Sequence, residues 1–205
     1  MKIYDVSMPI YKGMPVYKNI EAKQPVFNTV TNGHVTESQI TLDAHVGTHT
    51  DAPLHMMNDG KTIETIELER LVGKCKVFDL TGVVGKVEKA DLEDLPIEKD
   101  DFILLKTSNS FDEEFNFEFI SLGETGAEYL AEKGINGVGI DGLGIERAQP
   151  GHPTHRTLFA HDIIVIEGLR LKDVPAGEYF MVAAPLKLVG IDAAPSRVLL
   201  LDGLL

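Results

Sequence analysis

HVGTHTDAPLH runs from His45 to His55, and whether it coils or extends sets the fold of the chain around it. Of the chain's 7 histidines, His45, His49 and His55 lie here, with Asp51 among them. Coiled, His45 and His49 would stand one turn apart, as ligands do on metalloprotease helices. The local chemistry rejects a coil: Gly47, Thr48 and Thr50 are poor helix formers, and Pro53 would break the helix. Extended, the odd-numbered positions share one side. A straight strand would still hold His45 and His49 about 13 Å apart at Cα, barely within reach of one ion. A bend at Gly47 is therefore expected, where a positive φ costs little. Imidazoles with a carboxylate suit zinc, manganese or iron, which makes His45, His49 and Asp51 candidate ligands. His55, stiffened by Pro53, is a candidate general acid/base, with fourth ligand as the alternative.

Outward from this stretch, short apolar runs read as buried strands: 76–80, 101–107, 136–141, 162–169, 178–188 and 197–203. VTESQITLD (35–43) alternates and reads as a half-exposed strand. TIETIELERLVG (62–73) reads as a helix stopped by Gly73. SLGETGAEYLAEKG (121–134) reads as another, with Ser121 and Glu124 at capping-box spacing and a Lys133–Gly134 close. KADLEDLP (89–96) offers a turn of helix. The stretches 44–60 and 142–156 read as long irregular loops, and both carry histidines. With no linker or repeat, the expectation is one α/β domain over 1–205, with more strand than helix.

A formal charge of −13 argues against nucleic acid or an anionic membrane as partner. The single cysteine, Cys75, allows no internal disulfide and fits a reducing compartment. Its place in an apolar run reads as buried and inert. The first residues hold no long apolar segment, and no apolar run approaches membrane-spanning length, so a cytoplasmic, soluble protein is expected. A chain of 205 residues buries enough surface to need no structural staple, so a metal here would serve chemistry.

PTHRTLFAHDIIVIEGL (153–169) supplies His155, His161 and Glu167. Glu167 ends an apolar run, where a carboxylate is costly unless paired, by Arg156, by Arg170 or by a metal. With His155 it could complete a site begun by His45, His49 and Asp51. A closed structural zinc site is disfavoured for want of cysteines. A cupin-type site is disfavoured because the spacing is HxxxH followed by Asp.

Together these stretches resemble the cyclase family of metal-dependent hydrolases, which includes the bacterial kynurenine formamidases (arylformamidases). The family's HxGTHxDxPxH is matched by His45, Gly47, Thr48, His49, Asp51, Pro53 and His55, and its later His and Glu by His155 and Glu167. YDVSMPI near the start and PLKLVGIDAAPSRVLLLD near the end extend the likeness along nearly the whole chain. The resemblance implies a swivelling β/β/α-type fold and a homodimer or larger homo-oligomer. It implies two divalent ions, zinc first and manganese second, one on His45, His49 and Asp51 and the other on Asp51, His155 and Glu167, with His55 moving protons. The implied reaction is cleavage of a small molecule's amide or formamide C–N bond by a metal-activated hydroxide. The alternatives are hydrolysis of a cyclic amide, imide or lactone in the manner of isatin hydrolase, and metal binding without turnover. Formamidases of the family carry a tryptophan after an N-terminal Pro-Val; GMPVYKN offers Tyr17 instead, in a chain with no Trp, and makes it the candidate aryl contact. His152 is a possible pocket residue on a surface loop.

Overall fold

A computed structural model describes residues 1–204; Leu205, the last residue of the expected domain, lies outside the described residues. In chain order the strands are β1 (Lys2–Asp5), β2 (Val26–Asn32), β3 (Val35–Thr41), β4 (His49–Asp51), β5 (Val72–Asp79), β6 (Lys86–Val87), β7 (Phe102–Lys106), β8 (Ser121–Leu122), β9 (Gly137–Ile140), β10 (Ile164–Glu167), β11 (Gly177–Pro185) and β12 (Ala193–Asp202). The helices are α1 (Lys89–Leu92), α2 (Glu124–Lys133) and α3 (Pro153–Ala160). The expected α/β class, richer in strand than in helix, holds.

The main sheet runs β1-β12-β11-β5-β7-β9-β10-β4, and a further β12–β4 pairing closes seven of these strands into a barrel, with β1 flanking β12. Strands β5, β7, β9 and β10 are parallel, and the rest of the ring is antiparallel. Period-2 alternation builds two cores from the same strands. Phe102, Leu104, Ile164 and Ile166 join Cys75, Val77, Met181 and Val198 in one cluster. Ile103, Leu105, Val138 and Val165 turn the other way, against Leu130 of α2 and Leu158 of α3. Each such buried Leu or Ile contributes about 1.5–3 kcal/mol. Cys75 is buried, as expected, and burial pushes its thiol up to about 12.

Several expectations need correction. Residues 62–73 form no α-helix but two 3-10 turns, Ile63–Thr65 and Leu68–Arg70. Sheet pairing overrides the helical spacing: Gly73 is no stop but the partner of Met181, and Leu68 points to solvent. In α2 the N-cap is Gly123, while Ser121 is buried in β8. The loop 44–60 contains β4 and a 3-10 turn, and α3 begins inside 142–156. β12 starts at Ala193, because β4 recruits Ala193, Ala194 and Pro195. The strand expected to be half exposed, now β3, is exposed along its length, and it pairs with β2, unread in the sequence, in an equally exposed hairpin. Among the described residues no helix is long and apolar enough to cross a membrane.

Candidate metal centre

The HVGTHTDAPLH segment lies on the seam that closes the barrel. β4 is buried between β10 and β12, and its register sets His49 opposite Glu167. The cross-strand pair thus brings together two residues 118 positions apart. The bend is where the glycine was expected to allow it, with Gly47 at φ +61°. Gly168 passes close beside it at φ +69°; a Cβ there would come within 2.4 Å of the Gly47 carbonyl oxygen, so the crossing leaves no room for a side chain at Gly168. Thr48 ties the crossing together, donating from Oγ1 to the Gly168 carbonyl (2.6 Å) and accepting the Met8 N–H (2.7 Å). Only His49–Asp51 is strand. Pro53 opens a 3-10 turn that swings His55 over the cleft, its ring centroid 4.1 Å from that of His45. His155 arrives from α3 and Glu167 from the end of β10.

The outer nitrogens of the three candidate ligand histidines are each held by an acceptor and so each carry a proton. A carbonyl or carboxylate can only accept, so His49 Nδ1 donates to the Gly47 carbonyl (2.9 Å). His155 Nδ1 donates to Glu146 (2.7 Å), and His45 Nε2 to Asp192 (2.9 Å). The inner nitrogens then point at carboxylates. His45 Nδ1 lies 3.0 Å from Asp51 Oδ1. His49 Nε2 lies 3.4 Å from Asp51 and 3.2 Å from Glu167. His155 Nε2 lies 3.3 Å from Glu167 and 3.9 Å from Asp51. Lone pairs facing lone pairs at such distances repel unless positive charge lies between them.

That convergence is what a cation site requires. His49 Nε2 and both Asp51 carboxylate oxygens are buried with no hydrogen-bond partner among the described residues, close to their neighbours but misaligned for bonding to them. Buried unpaired carboxylates are expensive. His49, Asp51 and Glu167 offer donor atoms within 4.8 Å of one another, as do His45, Asp51 and His55, with Asp51 common to both sets. Neither Arg156 nor Arg170 neutralises Glu167; Arg170 donates instead to the Asp112 carbonyl. The nitrogen and oxygen donor set fits a borderline divalent ion.

Protonation follows the same field. Burial works against charge on His45, but the Asp51 carboxylate 3.0 Å away, with help from Asp192, raises it to about 9. Burial likewise opposes charge on His155, and Glu146 and Glu167 raise it to about 10. His49 is raised against burial by Asp51 and Glu167. Burial lowers His55, helped by its cationic neighbours His45 and His155 and resisted by Asp51. Glu167 is held well below the usual carboxylate range, against burial, by His155 and His49.

A cavity of about 330 Å³ opens over this cluster, lined by Tyr17, Lys18, His45, His55, His155 and Glu167 among others. Tyr17 both lines it and packs edge-on against Phe115 and Phe119, with centroids 5.5 and 6.4 Å away. His152 also lines the cavity, with its side chain 57% exposed. His161 stays out of the cleft, exposed and bonded to the Thr157 carbonyl of its own helix. Two residues escaped the sequence reading. Glu146, nine residues before His155, is buried and accepts both the ring and the backbone N–H of His155. Asp192 lies in the GIDAAPSR stretch, where neighbouring sequence offers no sign of a site.

Comparison with known proteins agrees along the whole chain. The model of a family described as "Putative cyclase" matches residues 4–147. A kynurenine formamidase of Erythrobacter litoralis is 32% identical, over 97% of this chain and 93% of its own length. Among solved structures, the predicted metal-dependent hydrolase from Bacillus stearothermophilus is 65% identical with a TM-score of 0.91, covering 97% of both chains. Isatin hydrolase A from Labrenzia aggregata shares the fold at 21% identity, with a TM-score of 0.86 over 97% of this chain and 93% of its own.

Proposed function

From the premise that the chain belongs to the cyclase family and is a hydrolase of carbon–nitrogen bonds other than peptide bonds, we propose that it cleaves the formamide or amide bond of a small aryl substrate over two divalent ions. His45, His49 and Asp51 would hold one ion, and Asp51, His155 and Glu167 the other, zinc before manganese. The observation that carries this reading is the set of buried, unpartnered atoms on His49 and Asp51, with the inner nitrogens of three histidines aimed at two carboxylates. Such ions supply Lewis-acid polarisation of a carbonyl and lower the pKa of water toward neutrality.

The remaining work falls to the chain. His55 overhangs the cleft, and its Nδ1 faces Asp192 at 3.3 Å, which leaves Nε2 toward the cavity. Its lowered pKa keeps the ring neutral near pH 7, able to take a proton from the attacking water and return it to the leaving nitrogen as the C–N bond breaks. Tyr17, backed by Phe115 and Phe119, offers an aromatic edge to the aryl group. The cavity volume suits a small molecule.

The test is a panel of formanilides, cyclic amides and lactones, run at neutral pH on metal-stripped protein reloaded with Zn²⁺ or Mn²⁺. Formanilide turnover that disappears on stripping and returns on reloading is expected. Preference for cyclic amides or lactones would replace the substrate class, and metal uptake without any turnover would leave a binding protein.

We also propose that the chain works as a homodimer. Both strands of the β2–β3 hairpin are exposed, with Val26, Phe27, Val30, Val35 and Ile40 in solvent, and an isolated hairpin is marginal in water. Light scattering on a sizing column should report twice the chain mass; a monomer at micromolar concentration would remove this assignment.

A further inference from the structure

The carboxylate of Asp192 meets two histidines with different duties. Its Oδ2 is 2.9 Å from His45 Nε2 and 3.3 Å from His55 Nδ1, and the two rings lie 4.1 Å apart between centroids. The backbone delivers it to this point. Asp192 immediately precedes Ala193, which pairs with Asp51 where β12 closes on β4, and its own carbonyl accepts the Ala52 N–H at 2.8 Å. The strand pair that seals the barrel therefore also sets the distance between this carboxylate and both rings.

We propose, building on the metal-hydrolase reading above, that Asp192 is a positioning residue that orients two histidines at once, the ligand His45 and the proton carrier His55. The chemistry follows from one fact: a carboxylate accepts and never donates. Accepting from His45 Nε2–H leaves the Nδ1 lone pair turned toward Asp51 and the ion position. Accepting from His55 Nδ1–H selects the tautomer whose Nε2 lone pair faces the cavity. Without this acceptor, the His55 ring has no other hydrogen-bond partner among the described residues, and His45 is left facing Asp51 at 3.0 Å, which would draw its proton to Nδ1, the nitrogen turned toward the ion position. Both rings meet the same oxygen, so an asparagine oxygen in its place could still accept from both; alanine removes the acceptor from both rings at once. Asp192 itself touches neither the ion nor the substrate in this scheme.

The experiment uses Asp192→Ala in the full chain, alone and combined with His55→Ala. Zn²⁺ affinity is measured by competition with a chelating dye. Formanilide kinetics are taken at saturating Zn²⁺, and ring-nitrogen chemical shifts are read by NMR in the metal-free chain. Asp192→Ala is expected to weaken Zn²⁺ binding roughly 10- to 100-fold, in both the wild-type and His55→Ala backgrounds. At saturating Zn²⁺ it is expected to lower kcat by a similar factor with KM little changed, and to do so only where His55 is present. The His55 ring is expected to lose its Nδ1–H preference. A merely structural role would lower thermal stability without the tautomer change or the dependence on His55. Asp192→Ala with unchanged Zn²⁺ affinity, kcat and His55 tautomer overturns the proposal and leaves the hydrolase reading standing. A wild-type chain that takes up no Zn²⁺ overturns that reading first and the ligand half of the proposal with it. A tautomer unchanged by the substitution then removes the other half.

Discussion

The two flanks of the cleft hold their histidines in different ways. On the inner flank His155 is 4% exposed, and its outer nitrogen is fixed by the buried Glu146 on the loop before α3. On the outer flank His45 and His55 share Asp192, whose side chain is 39% exposed. A buried anchor in a low-dielectric setting holds one proton in one place. An anchor at the water boundary can orient a ring while leaving it able to exchange protons with solvent. On the proposed roles, the inner flank holds a ligand rigidly, while the outer flank holds a ligand and the proton carrier on one anchor at the water boundary. Between the flanks His49 and Asp51, buried on β4 at the barrel seam, belong to both.

The largest effects should come from the seam. His49→Ala removes a nitrogen proposed as a ligand and leaves Asp51 and Glu167 facing each other with less positive charge nearby. Loss of bound metal by elemental analysis and loss of formanilide turnover are expected together. His55→Ala on the outer flank should retain metal and lose about 10²–10⁴ in kcat. An empty site in His55→Ala would make His55 a ligand, and the division of duties between the flanks would fall.

The same division explains what could be read from the chain and what could not. The seam residues are adjacent in sequence, so Gly47, Pro53 and the spacing of His45, His49 and Asp51 reveal the bend and the convergence before any tertiary information enters. β7, β9 and β10 were legible because burial on both faces writes them as continuous apolar runs. Glu146 and Asp192 were not legible. A carboxylate that anchors a histidine carries no local pattern; only the register of β12 on β4 and the packing of α3 bring these two to their rings. The stretch 62–73 misled for a related reason. Ile63, Ile66 and Leu71 have helical spacing, but Ile63 packs against Ala52 and Ala194 while Leu71 enters the other core beside Met181. The β2–β3 hairpin went unread in its first strand because polar residues interrupt its apolar ones, a pattern that suits an arm with no core of its own.

The smallest predicted effect separates the flanks by pH alone, in the metal-free chain. An unfolded histidine titrates near 6.5. His45 and His155 are raised in the folded chain to about 9 and about 10, because carboxylates outweigh burial at both. The folded state therefore binds these protons more tightly than the unfolded state does. Their contribution to stability is fully present below about pH 6.5 and is lost as pH rises through 9 and then 10. His49, also raised, adds to the same trend. His55, lowered, acts with the opposite sign, and only as pH falls below its unfolded value, outside this window. The Tm of the metal-free chain should thus decline across the alkaline window. Saturating Zn²⁺ should remove the histidine part of the decline, because the ion takes the place of the protons and binds more strongly as they leave; the part owed to the buried Cys75 thiol, pushed up to about 12, should remain. Glu146→Gln removes the first of the groups that raise His155, so the last part of the decline, near pH 10, should move to lower pH while the part belonging to His45 stays. A shift of both parts together would show the flanks to be one electrostatic unit, and a flat Tm through the window would mean that carboxylates do not hold protons on these rings at all.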